Sequence, residues 1–154
     1  MDIECDIRAA RDGDVDVVSE MILSALRETN AKDYPREVIE RLEKSFSPAA
    51  VLNLMRKRKV FVATSGHQIV GTASLDGNVV RTMFVAPDFQ RRGVGRRLMA
   101  EIERKARAAG IATLVVPSSV TAQHFYAKLG FTPVRDNYYG AERTIIMNRD
   151  LMPI

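Results

Sequence analysis

The stretch Met83-Phe84-Val85-Ala86-Pro87-Asp88-Phe89-Gln90-Arg91-Arg92-Gly93-Val94-Gly95-Arg96-Arg97 constrains this chain more than any other. Residues 79–85 read as a strand that Pro87 stops, and a short loop with two glycines opens directly into a helix. Val94, Leu98, Met99, Ile102 and Ala106 recur at helical spacing over residues 93–109, and Gly110 ends the pattern. The first turn of any helix leaves backbone N–H groups unpaired and carries partial positive charge. Glycines let the backbone close around a ligand as a nest of donors, and an anion is the natural occupant. Arg91, Arg92, Arg96 and Arg97 surround that nest and offer charge-assisted bonds to phosphate oxygens. No G-x-x-x-x-G-K-[ST] occurs and no G-x-G-x-x-G follows the first strand, which argues against a triphosphate loop and a dinucleotide fold.

The remainder supplies strands and helices in a definite order. Residues 4–9 read as an opening strand. Asp14 is placed to cap a helix carrying Val15, Val18, Ile22, Ala25 and Leu26 on one face. Asp33-Tyr34-Pro35 restarts a helix through Val38, Ile39 and Leu42, and Ser47-Pro48 does so again before Val51, Leu52 and Met55. Strands follow at 60–63, 69–75 and 79–85, separated by Ser65-Gly66-His67 and by Asp76-Gly77-Asn78, the second a strong hairpin signal. After the long helix come a buried strand at 111–116, a helix at 121–129 closed by Gly130, and strands near 131–138 and 143–148. Strands linked first by hairpins and then by helices imply an α/β (α+β) domain with a mixed sheet flanked by helices.

Length and composition narrow the class. The chain has 154 residues, 46% hydrophobic and 27% charged, which suits one globular domain with its own core. No apolar run approaches a membrane span, and the first residues lack the basic and apolar regions of a signal peptide. The single cysteine, Cys5, reads as a structural thiol and excludes an internal disulfide, so the expected address is cytoplasmic. His67 and His124 have no His or Cys at ligand spacing, so no metal site is expected. The net charge of +4 would help an anionic ligand approach without identifying it.

Two motifs then make the pattern specific. Val85-x-Pro87-x-x-Gln90-x-x-Gly93-x-Gly95 resembles the acetyl-CoA pyrophosphate signature of the GCN5-related N-acetyltransferase (GNAT) superfamily. Downstream, Ala122-x-x-Phe125-Tyr126-x-Lys128-x-Gly130-Phe131 is similar to that superfamily's second motif. The resemblance covers roughly residues 60–149 and implies a central, mostly antiparallel sheet with a splayed strand pair. It makes the whole of 1–154 one domain, with about 1–58 as a variable helical acceptor-binding part and about 60–149 as the acetyl-CoA-binding core.

The resemblance also implies roles. The backbone of Phe84 and Val85 would bind the pantetheine arm. The amides of Arg91, Arg92, Gly93, Val94, Gly95 and Arg96 would hold the pyrophosphate, with Gln90 at the loop entry. Ser119 stands where many members carry Asn, at the helix entry beside the thioester. Tyr126 matches the tyrosine that protonates the departing CoA thiolate. The strand glutamate that serves some members as general base is replaced by Val79, and Asp76, Asp33 and Glu28 stay open as substitutes. Tyr138 and Tyr139 either line an acceptor pocket or pack across strands.

The resulting expectation is acetyl transfer from acetyl-CoA to an amine of unknown identity, with no membrane or nucleic-acid partner. A homodimer through residues 143–148 follows from the habit of relatives. A non-catalytic acyl-CoA sensor on the same fold is one alternative, and a basic nucleic-acid-binding domain another. No helix-turn-helix, zinc or RNP-type motif supports the latter.

Overall fold

The computed structural model describes residues 2–151. Seven strands form one sheet in the order β1-β2-β3-β4-β5-β7-β6. They are β1 (Asp6–Ala9), β2 (Lys59–Ser65), β3 (Gln68–Asp76), β4 (Val79–Val85), β5 (Thr113–Ser119), β6 (Thr132–Tyr139) and β7 (Glu142–Asp150). The helices are α1 (Val15–Glu28), α2 (Arg36–Lys44), α3 (Pro48–Lys57), α4 (Val94–Ala108) and α5 (Gln123–Lys128). Every strand pairing is antiparallel except β4 with β5, which run parallel and share one register pair, Val79 with Val115. Past that pair the two strands diverge, and the sheet opens along the rest of β4.

Two apolar clusters hold the helices to opposite faces. Val94, Leu98, Met99, Ile102 and Ala106 of α4 pack with Val70, Ala73, Val80, Leu114 and Met147. On the other side Val18, Ile22 and Leu26 of α1 and Val51 of α3 pack with Val62 and Ile69. The helical third of the chain is therefore a lid on one face, and the loop-and-helix motif belongs to the other.

Local chemistry explains most boundaries and corrects two expectations. Ser47 caps α3, its hydroxyl accepting from the Ala50 amide at 3.3 Å. Asp14 does not cap α1 with its side chain, because Arg8 holds the carboxylate at 2.7 and 3.0 Å and the Arg11 amide donates to it as well. β5 runs past Val116 to Ser119, so Ser119 ends a strand and the next helix starts only at Gln123. The Val115 amide donates to Asn78 O, so odd-numbered β5 amides face β4. The N–H that Pro117 lacks therefore points into the open gap, where no strand would have received it. Strand 143–148 lies inside β7, which is paired on both sides. Its backbone is used within the sheet, whose two edges are β1 and β6.

Candidate functional site

The gap between β4 and β5 is shaped by a bulge. Thr72 faces Phe84 and Ser74 faces Arg81, so Thr82 and Met83 together oppose Ala73. Thr82 sits at φ +53°, a genuine outlier for a β-branched residue and worth on the order of 1–3 kcal/mol of stored strain. Beyond the bulge, Ala86 donates to Val70 O, so even-numbered backbone groups face β3. Strand alternation turns Met83 and Val85 toward the gap and Phe84 away from it. Of the pair expected to present backbone to a ligand arm, Val85 faces the gap and Phe84 faces β3, and Met83 faces the gap as Val85 does. The missing signal was the bulge, which shifts the parity of the strand without marking the sequence.

At the end of β4 the loop turns at Arg91 (φ +61°) and Gly93 (φ +86°) into the first turn of α4. The first α4 amide to bond back is that of Arg97, to Gly93 O at 3.1 Å, which leaves those of Val94, Gly95 and Arg96 without a backbone acceptor. Val94 itself is buried, anchoring the turn in the core. A side chain on Gly95 would meet the Phe125 ring at 3.0 Å, so this glycine lets α4 close onto α5. A side chain on Gly93 would meet the Asp2 carboxylate at 2.7 Å. Asp2 also pairs with Arg96, and Ile3 donates to Arg92 O at 3.0 Å, so the N-terminal segment crosses the turn.

The arginines differ in what they do. Arg97 donates to Cys5 O at 2.8 Å and serves the packing of β1. Arg92 stacks its guanidinium 5.6 Å from the centroid of Phe89. Arg91 and Arg92 form no ion pair among the described residues, which leaves them free to meet an anion. Gln90 turns inward, donating to Thr29 Oγ1 at 3.1 Å and Val85 O at 3.3 Å; it ties the end of β4 to the end of α1.

Tyr126 lies on the α4 face, 3% exposed, between Phe125 and Phe131 in edge-on contacts at 5.1 and 5.7 Å. Burial pushes its phenol well above its ordinary range, so it stays protonated. Among the described residues its hydroxyl forms no hydrogen bond. Ser119 Oγ accepts from the Ala122 amide at 3.1 Å and shapes the turn into α5.

Tyr34, which sequence reasoning passed over, reaches from the lid to the far wall of the gap. Its hydroxyl accepts from the Val120 amide at 2.7 Å and donates to Arg143 O at 3.0 Å. Of the carboxylates considered as a base, Asp76 is bonded to Arg81 at 3.2 Å and Asp33 accepts from Thr121 Oγ1 at 2.7 Å. Glu28 is exposed at the end of α1. Tyr138 and Tyr139 are 64% and 70% exposed, so neither is packed into the sheet; the Arg41 guanidinium lies 4.6 Å from the Tyr139 ring centroid. Among the described residues no cluster of three His, Cys, Asp or Glu could hold a metal, and no helix is long and apolar enough to cross a membrane.

A strand, a splayed gap and an amide-lined turn in this order have a family counterpart. Residues 30–146 match the model of the acetyltransferase (GNAT) domain. The chain belongs to the GNAT superfamily. Among curated relatives of this GNAT chain, the amino-acid acetyltransferase of Ectopseudomonas mendocina is 31% identical over 113 residues, 73% of this chain and 24% of that protein. The [ribosomal protein bS18]-alanine N-acetyltransferase of Salmonella typhimurium is 39% identical over 82 residues, 47% of this chain and 55% of that protein. The GNAT chain thus spans only part of the length of the relatives it matches. Among solved structures, a GCN5-related N-acetyltransferase from Rhodopseudomonas palustris superposes with a TM-score of 0.92 at 24% identity, covering 98% of both chains. PaiA N-acetyltransferase of Thermoplasma acidophilum, in complex with coenzyme A, gives 0.82 at 20% identity over 96% of this chain and 99% of that one. At these identities the likeness establishes the fold.

Proposed function

We propose that this GNAT domain transfers the acetyl group of acetyl-CoA to a primary amine. The observation that carries the reading is the junction of two features on one strand. β4 opens away from β5 at Val79 and ends in a turn whose Val94, Gly95 and Arg96 amides lack backbone acceptors. A pyrophosphate suits the turn, with Arg91 and Arg92 available as cationic partners. A pantetheine arm suits the gap, where the backbone of Met83 and Val85 faces inward.

The chemistry follows from what lines the gap. A strand N–H at the bulge, that of Met83, is suited to donate to the thioester oxygen as negative charge develops on it. The amine nitrogen bonds to the carbonyl carbon, the C–S bond breaks, and the sulfur leaves with the bonding pair. Tyr126 donates its proton to that sulfur, a role that burial favours because it keeps the phenol protonated. The attacking amine must lose a proton; with an ordinary pKa near 10.4 this is worth roughly 4–5 kcal/mol at pH 7. No carboxylate is assigned as the base, since Asp76 and Asp33 are already engaged. Water in the open gap takes that proton.

Calorimetric titration with acetyl-CoA tests the reading, beside an Arg92→Glu, Gly95→Trp double variant. A tryptophan at Gly95 must displace Phe125 and closes the first turn of α4. Micromolar binding by the wild type, abolished in the variant, and amine-dependent release of free thiol are the expected results. Binding without thiol release from any amine would mark a sensor, and no binding by folded wild type would sink the reading.

A further inference from the structure

Arg58 follows α3 and lies beside β2, and its side chain crosses β3 on the lid face of the sheet. Its Nη1 donates to Thr82 Oγ1 at 3.1 Å, on the bulge of β4. It forms no ion pair among the described residues. The nearest carboxylate, Asp76, is bonded to Arg81 instead, at 3.2 Å. Arg58 and Arg81 are therefore two cations beside one anion. The arrangement acts on Arg58 in the expected direction: its pKa is lowered, first by burial and then by the charge of Arg81. A partly desolvated guanidinium beside a like charge is unfavourable until an anion joins it.

Arg58 is only half-buried. It lines an open cleft of about 670 Å³ bounded by the α3–β2 junction, the β3–β4 hairpin and Ala109 and Ile111 after α4, and Thr82 and Arg81 lie outside that lining. Its charged lining is Arg56, Lys57, Arg58 and Lys59 against Asp76 alone. An acidic ligand is thus drawn toward the one arginine that also touches the bulge.

We infer that Arg58, with Arg81 beside it, reads a carboxylate on the acceptor, so that the amine acetylated here belongs to a small amino acid rather than to a protein N-terminus. The inference rests on the acetyl-transfer reading and deepens it. A planar guanidinium takes a carboxylate through paired N–H bonds, and the hydroxyl hydrogen of Thr82 is left to donate to the same group. In a free amino acid the carboxylate is one carbon from the amine, so anchoring it at Thr82 holds the nitrogen close to the bulge. The first residue of a protein has an amide in that place, which leaves Arg58 unpaired and is disfavoured.

Thiol release is measured with glycine, alanine and glutamate, with the amide of each, and with an alanine-led tetrapeptide. Acetyl-CoA binding is followed in parallel by calorimetry. The wild type is expected to accept at least one acid with a KM about tenfold or more below that of its amide. Arg58→Gln is expected to raise the acid KM about ten- to a hundredfold, with kcat, the amide KM and the acetyl-CoA affinity unchanged. Arg58→Lys, which keeps the charge but not the fork, recovers part of the loss. Amides or the tetrapeptide used as well as the acids, or no acid accepted, overturns the inference, and the wild type alone suffices for this comparison. An Arg58→Gln defect in kcat shared by all acceptors also overturns it, because that marks a structural role. Failure to bind acetyl-CoA removes the acetyl-transfer reading itself, and this inference with it.

Discussion

The carboxylate of Asp2 rests against Gly93 and pairs with Arg96 at the first turn of α4, so an anionic ligand arriving there meets a resident anion. Asp2 offsets part of the positive potential of the helix terminus, an effect of about 0.3–1 kcal/mol for an exposed carboxylate. Asp2→Ala should therefore tighten acetyl-CoA binding by about two- to fivefold at low ionic strength, with the gain shrinking as salt rises. Calorimetry at two salt concentrations checks this, and equal or weaker binding by the variant would show that Asp2 does not oppose the ligand. Such residue-level contacts divide into those the sequence announces and those it does not. Gly93, Gly95 and the periodic α4 residues are legible because a helix start is a local event, written in neighbouring positions. The inward turn of Gln90 and the reach of Arg58 to Thr82 are set by side chains 61 and 24 positions from their partners. Nothing near either residue encodes them.

Among the elements, the sheet was the most legible part, and its interruptions were the least. Hairpin turns at Gly66 and Gly77 delimit β2, β3 and β4 as their sequence suggests. The bulge in β4 and the continuation of β5 through Pro117 were hidden, because each depends on which neighbour a backbone group faces. The position of the lid was equally hidden, since it hangs on Tyr34, whose hydroxyl bonds Val120 and Arg143 across 86 and 109 positions. Tyr34→Phe leaves the Val120 amide and the Arg143 carbonyl without their partner while barely changing volume. The expected loss is about 1–3 kcal/mol of unfolding free energy, read as a shift of the urea midpoint. An unchanged midpoint would mean that water replaces the hydroxyl and that the lid is held by its apolar face alone.

For the molecule as a whole, the aromatic cluster around Tyr126 links stability and chemistry to one proton. Tyr126 is buried between Phe125 and Phe131, and burial raises its pKa above the value of about 10 that it has in the unfolded chain. A folded pKa above the unfolded one contributes stability that is complete below about pH 10 and is lost as pH climbs through the folded value. Between those limits the native state holds a proton that the unfolded state has released. Tyr126→Phe removes the titrating group, so the gap in urea midpoint between wild type and variant should be constant from pH 7 to 9. Above pH 10 it should move in favour of the variant. Catalysis must follow the same proton. If Tyr126 protonates the sulfur, thiol release by the wild type rises with pH as the amine is deprotonated and shows no alkaline fall below about pH 10, because the acid is still charged with its proton. The variant should lose about a hundredfold or more in kcat across the whole range. A variant that turns over at the wild-type rate while losing its alkaline sensitivity would leave Tyr126 as a packing residue, and the proton on the departing thiolate would then have to come from water in the gap.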